Sequence, residues 1–169
     1  MDLNATFKYK ALKGSTFSSI FGVFSGFNLV LSSPIHAYVS DDNLETFELA
    51  AESFDVLWNS ATAMQASTLT FDLVWRNRPS LSLTFSLEEQ TVLITVDLED
   101  YLAGGKLIDE RLHEFWELSS KLASGTGADC FAVGCELSSS DLTQNTDFRA
   151  TDPPNYESLR ENVLQEFGA

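Results

Sequence analysis

Basic residues are scarce in this sequence. It holds 10 Lys and Arg against 25 Asp and Glu, a formal net charge of −15. A protein that binds nucleic acid by neutralising phosphates would carry the opposite sign. The same charge repels an anionic membrane surface and attracts basic proteins at long range. We therefore expect no direct binding to nucleic acid or membrane. If the charge does more than keep the protein soluble, we expect a basic protein partner.

Cysteine is also rare, and long apolar runs are absent. The two cysteines, Cys130 and Cys135, lie five residues apart, which places them on opposite faces of a strand and disfavours a bond between them. They form neither a disulfide framework nor a CxxC metal pair, so we expect a reducing, cytoplasmic location. A cleaved signal peptide is the alternative, because the apolar stretch 17–31 follows three lysines, but four polar residues interrupt it. No run of about 20 mainly apolar residues predicts a membrane span.

Histidine is represented only by His36 and His113. The sharpest catalytic candidate joins Glu110, His113 and Glu117 on the exposed face of a predicted helix. Glu-x-x-His occurs in di-iron helix bundles, but the second such motif is missing, as are the His-Glu-x-x-His of zinc proteases and the Gly-x-Ser-x-Gly elbow of hydrolases. We therefore expect no metal and no cofactor. The three residues remain a secondary catalytic alternative to a solvated helix face.

Hydrophobic residues make up 44% of the 169 residues, enough for one domain with its own core. Alternation of apolar and polar residues predicts strands at 2–11, 27–32, 68–75, 80–87, 91–98 and 129–137. Apolar spacings of three and four predict helices at 42–64, 107–123 and 153–167, with a less regular stripe at 16–25. Residues 138–152 read as a polar loop. The sequence thus predicts an α+β fold, with an antiparallel sheet of about five or six strands and two or three helices packed mainly on one face.

The predicted helix at 42–64 carries an unusual run of acids. Between Asp41 and Trp75 there are seven acidic residues and no lysine or arginine. Four of them fall at helical spacings on the face opposite the apolar stripe: Glu45, Glu48, Glu52 and Asp55. Such an array is either a tolerated solvated face or a docking surface for a basic partner.

Two functional hypotheses follow from these features. The first is a non-enzymatic acidic binding protein of the inhibitor or immunity type, which covers the basic surface of a nuclease or another nucleic-acid-processing enzyme. The clefts of such enzymes are positive, so a carboxylate array can occupy the positions of phosphates. The alternative is a small enzyme or ligand-binding domain whose pocket forms only in the folded structure. A convergent pocket of groups with shifted pKa values would favour that alternative.

Overall fold

The computed structural model describes residues 1–31, 34–41, 43, 45–75, 80–135 and 155–166. The strands are Asp2–Lys8 (β1), Leu29–Val30 (β2), Ile35–Ser40 (β3), Thr46–Ala51 (β4), Thr68–Trp75 (β5), Leu81–Ser86 (β6), Thr91–Asp97 (β7), Leu102–Ala103 (β8), Lys106–Leu107 (β9) and Cys130–Cys135 (β10). The α-helices are Gly14–Gly26 (α1), Phe54–Ala63 (α2), Asp109–Thr126 (α3) and Tyr156–Glu166 (α4). Among these residues, no helix is both long and apolar enough to cross a membrane. The loop predicted at 138–152 lies outside the described residues.

Eight of the strands form one antiparallel sheet. Its order is β10-β1-β7-β6-β5-β3-β4, and the short β2 pairs with β5 beyond the end of β3. This architecture confirms the predicted α+β fold, but the predicted count of five or six strands is too low. The two additional strands are β3 and β4, which form an antiparallel hairpin. Within the described residues, the first and last strands of this order are β10 and β4, and the two-residue β2 ends the row beside β5.

The helix predicted at 42–64 is wrong in its first half. Thr46–Ala51 is a strand, and the helix begins only at Phe54, after a serine cap. Phe47 and Leu49 lie opposite buried residues of β3, so alternate residues of this segment face the core. The pairing with β3 determines the conformation of this segment, because it satisfies the backbone N–H and C=O groups of the strand. The spacing of apolar residues alone does not reveal that pairing.

Three helices cover one face of the sheet and bury an aromatic core. Phe17 of α1 stacks on Phe85 with ring centroids 4.5 Å apart, and it contacts Phe71 at 5.5 Å. Phe54 of α2 stacks on Phe21 of α1 at 3.8 Å, which fixes the two helices to each other. The third helix, α3, packs beside α1 and reaches β10 on the same face. The prediction of helices mainly on one face is therefore confirmed.

The opposite face of the sheet is lined mostly by short polar side chains. Thr70 and Thr84, paired across β5 and β6, share a hydrogen bond of 3.0 Å between their hydroxyl oxygens. On β3 and β4 this face is largely exposed, with His36, Tyr38 and Glu48 in contact with solvent. We call it the open face.

The two edges of the sheet differ in their protection. At one edge, α4 packs against β10, and the Asn162 side-chain oxygen accepts a hydrogen bond from the Cys135 N–H at 3.1 Å. At the other edge, four of the six β4 residues are exposed. Within the described residues, β4 pairs with β3 and with no other strand. The sheet therefore ends at β4 in an exposed edge.

Candidate functional site

The four acids predicted to share one helix face instead surround the edge strand β4. Glu45 precedes the strand, Glu48 lies in its middle, Glu52 follows it and Asp55 lies in the first turn of α2. All four side chains are exposed. An extended chain from Glu45 to Glu52 spans about 23 Å, so the carboxylates follow the length of the strand. We call β4 together with these four residues the acidic edge.

The turn that leads into β4 is held by Asp41. Its carboxylate accepts hydrogen bonds from the backbone N–H groups of Asn43 at 2.9 Å and Glu45 at 3.1 Å. The Asp41 N–H in turn donates to the Glu45 carbonyl at 3.2 Å. This side-chain turn fixes the start of the strand and places one more carboxylate beside the acidic edge.

Glu48 lies on the open face, directly opposite Tyr38 of β3. Its Oε1 atom is 3.0 Å from Nδ1 of His36, and both side chains are about half exposed. Apolar surface lies next to these charges, because Tyr38, Phe47 and Val56 are 45%, 41% and 54% exposed. Tyr38 shares the face of Glu48, whereas Phe47 lies on the other face of β4.

The sequence around the acidic edge contains no lysine or arginine. The whole segment from Gly14 to Trp75, which contains α1, α2 and the strands β2 to β5, has no lysine or arginine. Within the described part of the chain, the four carboxylates form no ion pair with either residue type. The acidic edge therefore presents a field of one sign, as long-range attraction of a basic protein requires.

The residues of the catalytic alternative lie on α3, and the structure brings two of the three together. His113 Nδ1 is 3.9 Å from Glu117 Oε1, with both side chains about half exposed. Glu110 is exposed and, within the described residues, forms no hydrogen bond with the other two. Across all the described residues, no group of three or more His, Cys, Asp or Glu side chains could hold a metal ion.

The first turns of α3 dock α4. The His113 ring lies against the Tyr156 ring, with centroids 4.9 Å apart, and the Tyr156 hydroxyl donates to the Asp109 carboxylate at 3.1 Å. Arg160 Nε donates to the same carboxylate at 2.6 Å, and this hydrogen bond lowers the pKa of Asp109. Burial, together with the bond to Asp109, raises the pKa of Tyr156 to about 12. His113 therefore lies at the contact between α3 and α4.

The substitution Asp109→Asn should loosen α4, because it removes the charge that binds Arg160 and orients Tyr156. We expect faster amide hydrogen exchange at Leu159 and Val163, with unchanged exchange in the central strands of the sheet. Glu110→Gln is the matched control, since it removes the same charge from the same helical turn. Equal exchange in α4 for both variants would show that Asp109 does not hold the helix.

Two of the surface cavities are lined entirely by described residues. One, of about 350 Å³, lies between α1 and α3 and includes Phe27 and Lys121 in its lining. The other, of about 270 Å³, lies beside Trp58 and Gln90. Lys121 is the single ionisable side chain of the first, and the second has none. Neither of these two cavities is lined by converging ionisable groups.

Sequence reasoning identified the acids of this site but missed their neighbours. His36, Tyr38 and Phe47 join the site only because β3 and β4 pair. The available signal was the alternation of Phe47, Leu49 and Ala51, which overlaps with a helical spacing in the same segment.

The chain matches no protein-family model, no curated protein and no solved structure. The case for a function therefore comes from the geometry and charge of the molecule itself.

Proposed function

We propose that the protein is a non-enzymatic acidic binding protein of the inhibitor or immunity type, which docks a basic protein through the acidic edge. The observation that carries the proposal is the exposed strand β4, flanked by four carboxylates that no lysine or arginine of the described chain neutralises. The basic cleft of a nuclease or another nucleic-acid-processing enzyme fits this charge. There the carboxylates take the place of phosphates, with charge-assisted hydrogen bonds to arginine and lysine.

The apolar groups beside the charge distinguish docking from simple solubility. Acidic surface alone is expected of many soluble proteins. Tyr38 adds exposed apolar area on the face of Glu48, and Phe47 adds exposed apolar area on the other face of β4. This area gains free energy only when a partner covers it. Aromatic side chains are frequent anchors of protein interfaces.

The remaining assignments follow from the same proposal. A protein that takes the place of phosphates on its partner has no need to bind nucleic acid or membrane itself. We assign a cytoplasmic location, in line with the low cysteine content of the sequence. The alternative function, a small enzyme or ligand-binding domain, gains no support from the two cavities described above, because neither is lined by converging ionisable groups.

Comparative capture from a lysate of the source cells tests the proposal. The bait proteins are the wild type, a variant that neutralises the acidic edge, and a control variant. The edge variant is Glu45→Gln, Glu48→Gln, Glu52→Gln and Asp55→Asn. The control removes the same charge far from β4, as Glu110→Gln, Glu157→Gln, Glu161→Gln and Glu166→Gln. We expect a basic protein that the wild type and the control retain at low salt, that high salt releases, and that the edge variant fails to retain.

Two results would contradict the proposed function. One is retention of the same proteins by the edge variant and the wild type. The other is the absence of any basic protein from the salt-released fraction of the wild type.

A further inference from the structure

The hydrogen-bond pattern of the β3–β4 hairpin shows which backbone groups of β4 point outward. Asp41 donates to the carbonyl of Glu45, so this pair is bonded across the hairpin. Bonded and non-bonded pairs alternate in an antiparallel ladder. Phe47, Leu49 and Ala51 therefore point their N–H and C=O groups toward β3. The groups of the alternate residues point away from the sheet: Thr46, Glu48 and Ala50.

This edge has few of the features that normally prevent strand addition. Protected edges carry proline, charged side chains, a bulge or a covering helix. The sequence of β4, Thr-Phe-Glu-Leu-Ala-Ala, has no proline or lysine, and all six residues pair in register with β3. Its one charged residue is Glu48, which repels an acidic strand and attracts a basic one. The opposite edge strand, β10, is covered by α4. The difference leaves β4 as the edge that is open to a further strand.

We propose that the basic partner adds an extended segment to β4 as an antiparallel strand, a mode of docking that rests on the proposed function and specifies its geometry. The added strand bonds to the outward groups of Thr46, Glu48 and Ala50. Its residues opposite these lie on the open face, where Glu48 selects lysine or arginine. Its alternate residues lie on the other face, beside Phe47 and Leu49, and are apolar. The partner segment therefore alternates basic and apolar residues.

A second copy of this chain does not fit the same edge. Antiparallel pairing of two β4 strands centred on Glu48 would place the two Glu48 carboxylates directly opposite each other. Like charges placed opposite each other destabilise a sheet pair, and each chain carries a net charge of −15. The same negative charge that repels a second copy of the chain attracts a basic segment.

Synthetic peptides test the strand addition on the intact protein. The probe is a fluorescent ten-residue peptide that alternates lysine and valine, and a glutamate–valine peptide is the charge control. Two further peptides carry N-methyl groups, one on its lysine nitrogens and the other on its valine nitrogens. In the proposed register the lysine nitrogens donate to β4 and the valine nitrogens point away. We expect the lysine–valine peptide and its valine-methylated form to bind, with affinity that falls with salt, and the other two to fail.

The substitution Ala50→Pro removes one outward N–H and changes no charge. Proline is tolerated where a strand N–H faces solvent, so the pairing with β3 should persist. We expect about tenfold weaker binding of the lysine–valine peptide, because one edge bond is lost and the ring obstructs the added strand. Thr46→Pro serves as a second variant if Ala50→Pro shifts the unfolding midpoint. Ala50→Ser, which keeps the N–H, is the matched control and should bind as the wild type.

The outcomes separate the mode of docking from the proposed function. Equal binding of both methylated peptides, together with full binding by the proline variants, would overturn strand addition and leave docking through side chains. Failure of the lysine–valine peptide to bind at low salt would also overturn strand addition. The proposed function falls only if the capture experiment fails. A dimer of the free protein that Ala50→Pro dissociates would show that the edge serves a second copy instead.

Discussion

Replacing Phe71 or Phe85 with alanine should lower the free energy of unfolding by about 3–5 kcal/mol. Both side chains are fully buried, on β5 and β6, and both contact Phe17 of α1. Alanine at either position removes the apolar contacts and leaves a cavity between the sheet and the helix. Urea denaturation measures the loss as a lower midpoint with an unchanged slope.

Thr84→Ala is the matched control for these variants. Thr84 lies between Leu83 and Phe85 on the same strand, but it points to the open face and is half-buried. The substitution removes one hydrogen bond between the hydroxyls of Thr84 and Thr70, so we expect the free energy of unfolding to fall by about 1 kcal/mol or less. Phe85→Leu keeps most of the apolar volume, so its loss of unfolding free energy should lie between that of Phe85→Ala and that of Thr84→Ala. This variant can still be measured if the alanine variants do not fold. Unfolding of both phenylalanine variants at the wild-type midpoint would contradict the assignment of sheet faces.

The central strands could be predicted from sequence because one face of each is buried and the other is not. In β6, apolar and hydroxyl residues alternate without interruption, and in β5 the buried positions are all apolar, as the period of a sheet requires. The stripe Phe17, Phe21, Phe24 likewise predicts α1, although Gly22 and Gly26 weaken the pattern. In each case the local sequence and the tertiary contacts favour the same structure.

The segment before α2 could not be assigned in the same way. Phe47, Ala51 and Phe54 fit a helical spacing, whereas Phe47, Leu49 and Ala51 fit a strand. Whether this segment forms a helix or a strand depends on β3, which pairs with both β4 and β5. Such pairing is tertiary information, and it overrides local propensity.

The candidate site was predictable in composition but not in geometry. The run of acids without lysine or arginine is visible in the sequence, and it identifies Glu45, Glu48, Glu52 and Asp55. Their arrangement along an exposed edge depends on β4 being the last strand of the sheet. Strand order is not encoded in the periodicity of any one strand, so neither the edge nor the approach of His36 to Glu48 follows from the pattern.

The double substitution Glu48→Gln and Glu52→Gln should slow association with the captured basic partner by about tenfold or more, and it should flatten the salt dependence of the rate. Exposed charges act mainly on the encounter of two proteins, and salt screens them. Both side chains are exposed, so the unfolding midpoint should stay close to that of the wild type.

Glu157→Gln with Glu161→Gln is the matched control, because it removes the same charge from α4 at the opposite edge. Six strand spacings separate β10 from β4 in the sheet order, a distance of about 29 Å. At roughly 0.1 M salt the screening length is about 10 Å, so the control should associate at nearly the wild-type rate.

Stopped-flow association of the three proteins with the partner, over a series of salt concentrations, therefore tests the role of the acidic edge most directly. We predict a slow rate with a shallow salt slope for the β4 variant, and a fast rate with a steep slope for the wild type and the α4 control. Equal rates and equal slopes for all three would contradict docking at the acidic edge and leave these carboxylates as a solvated surface.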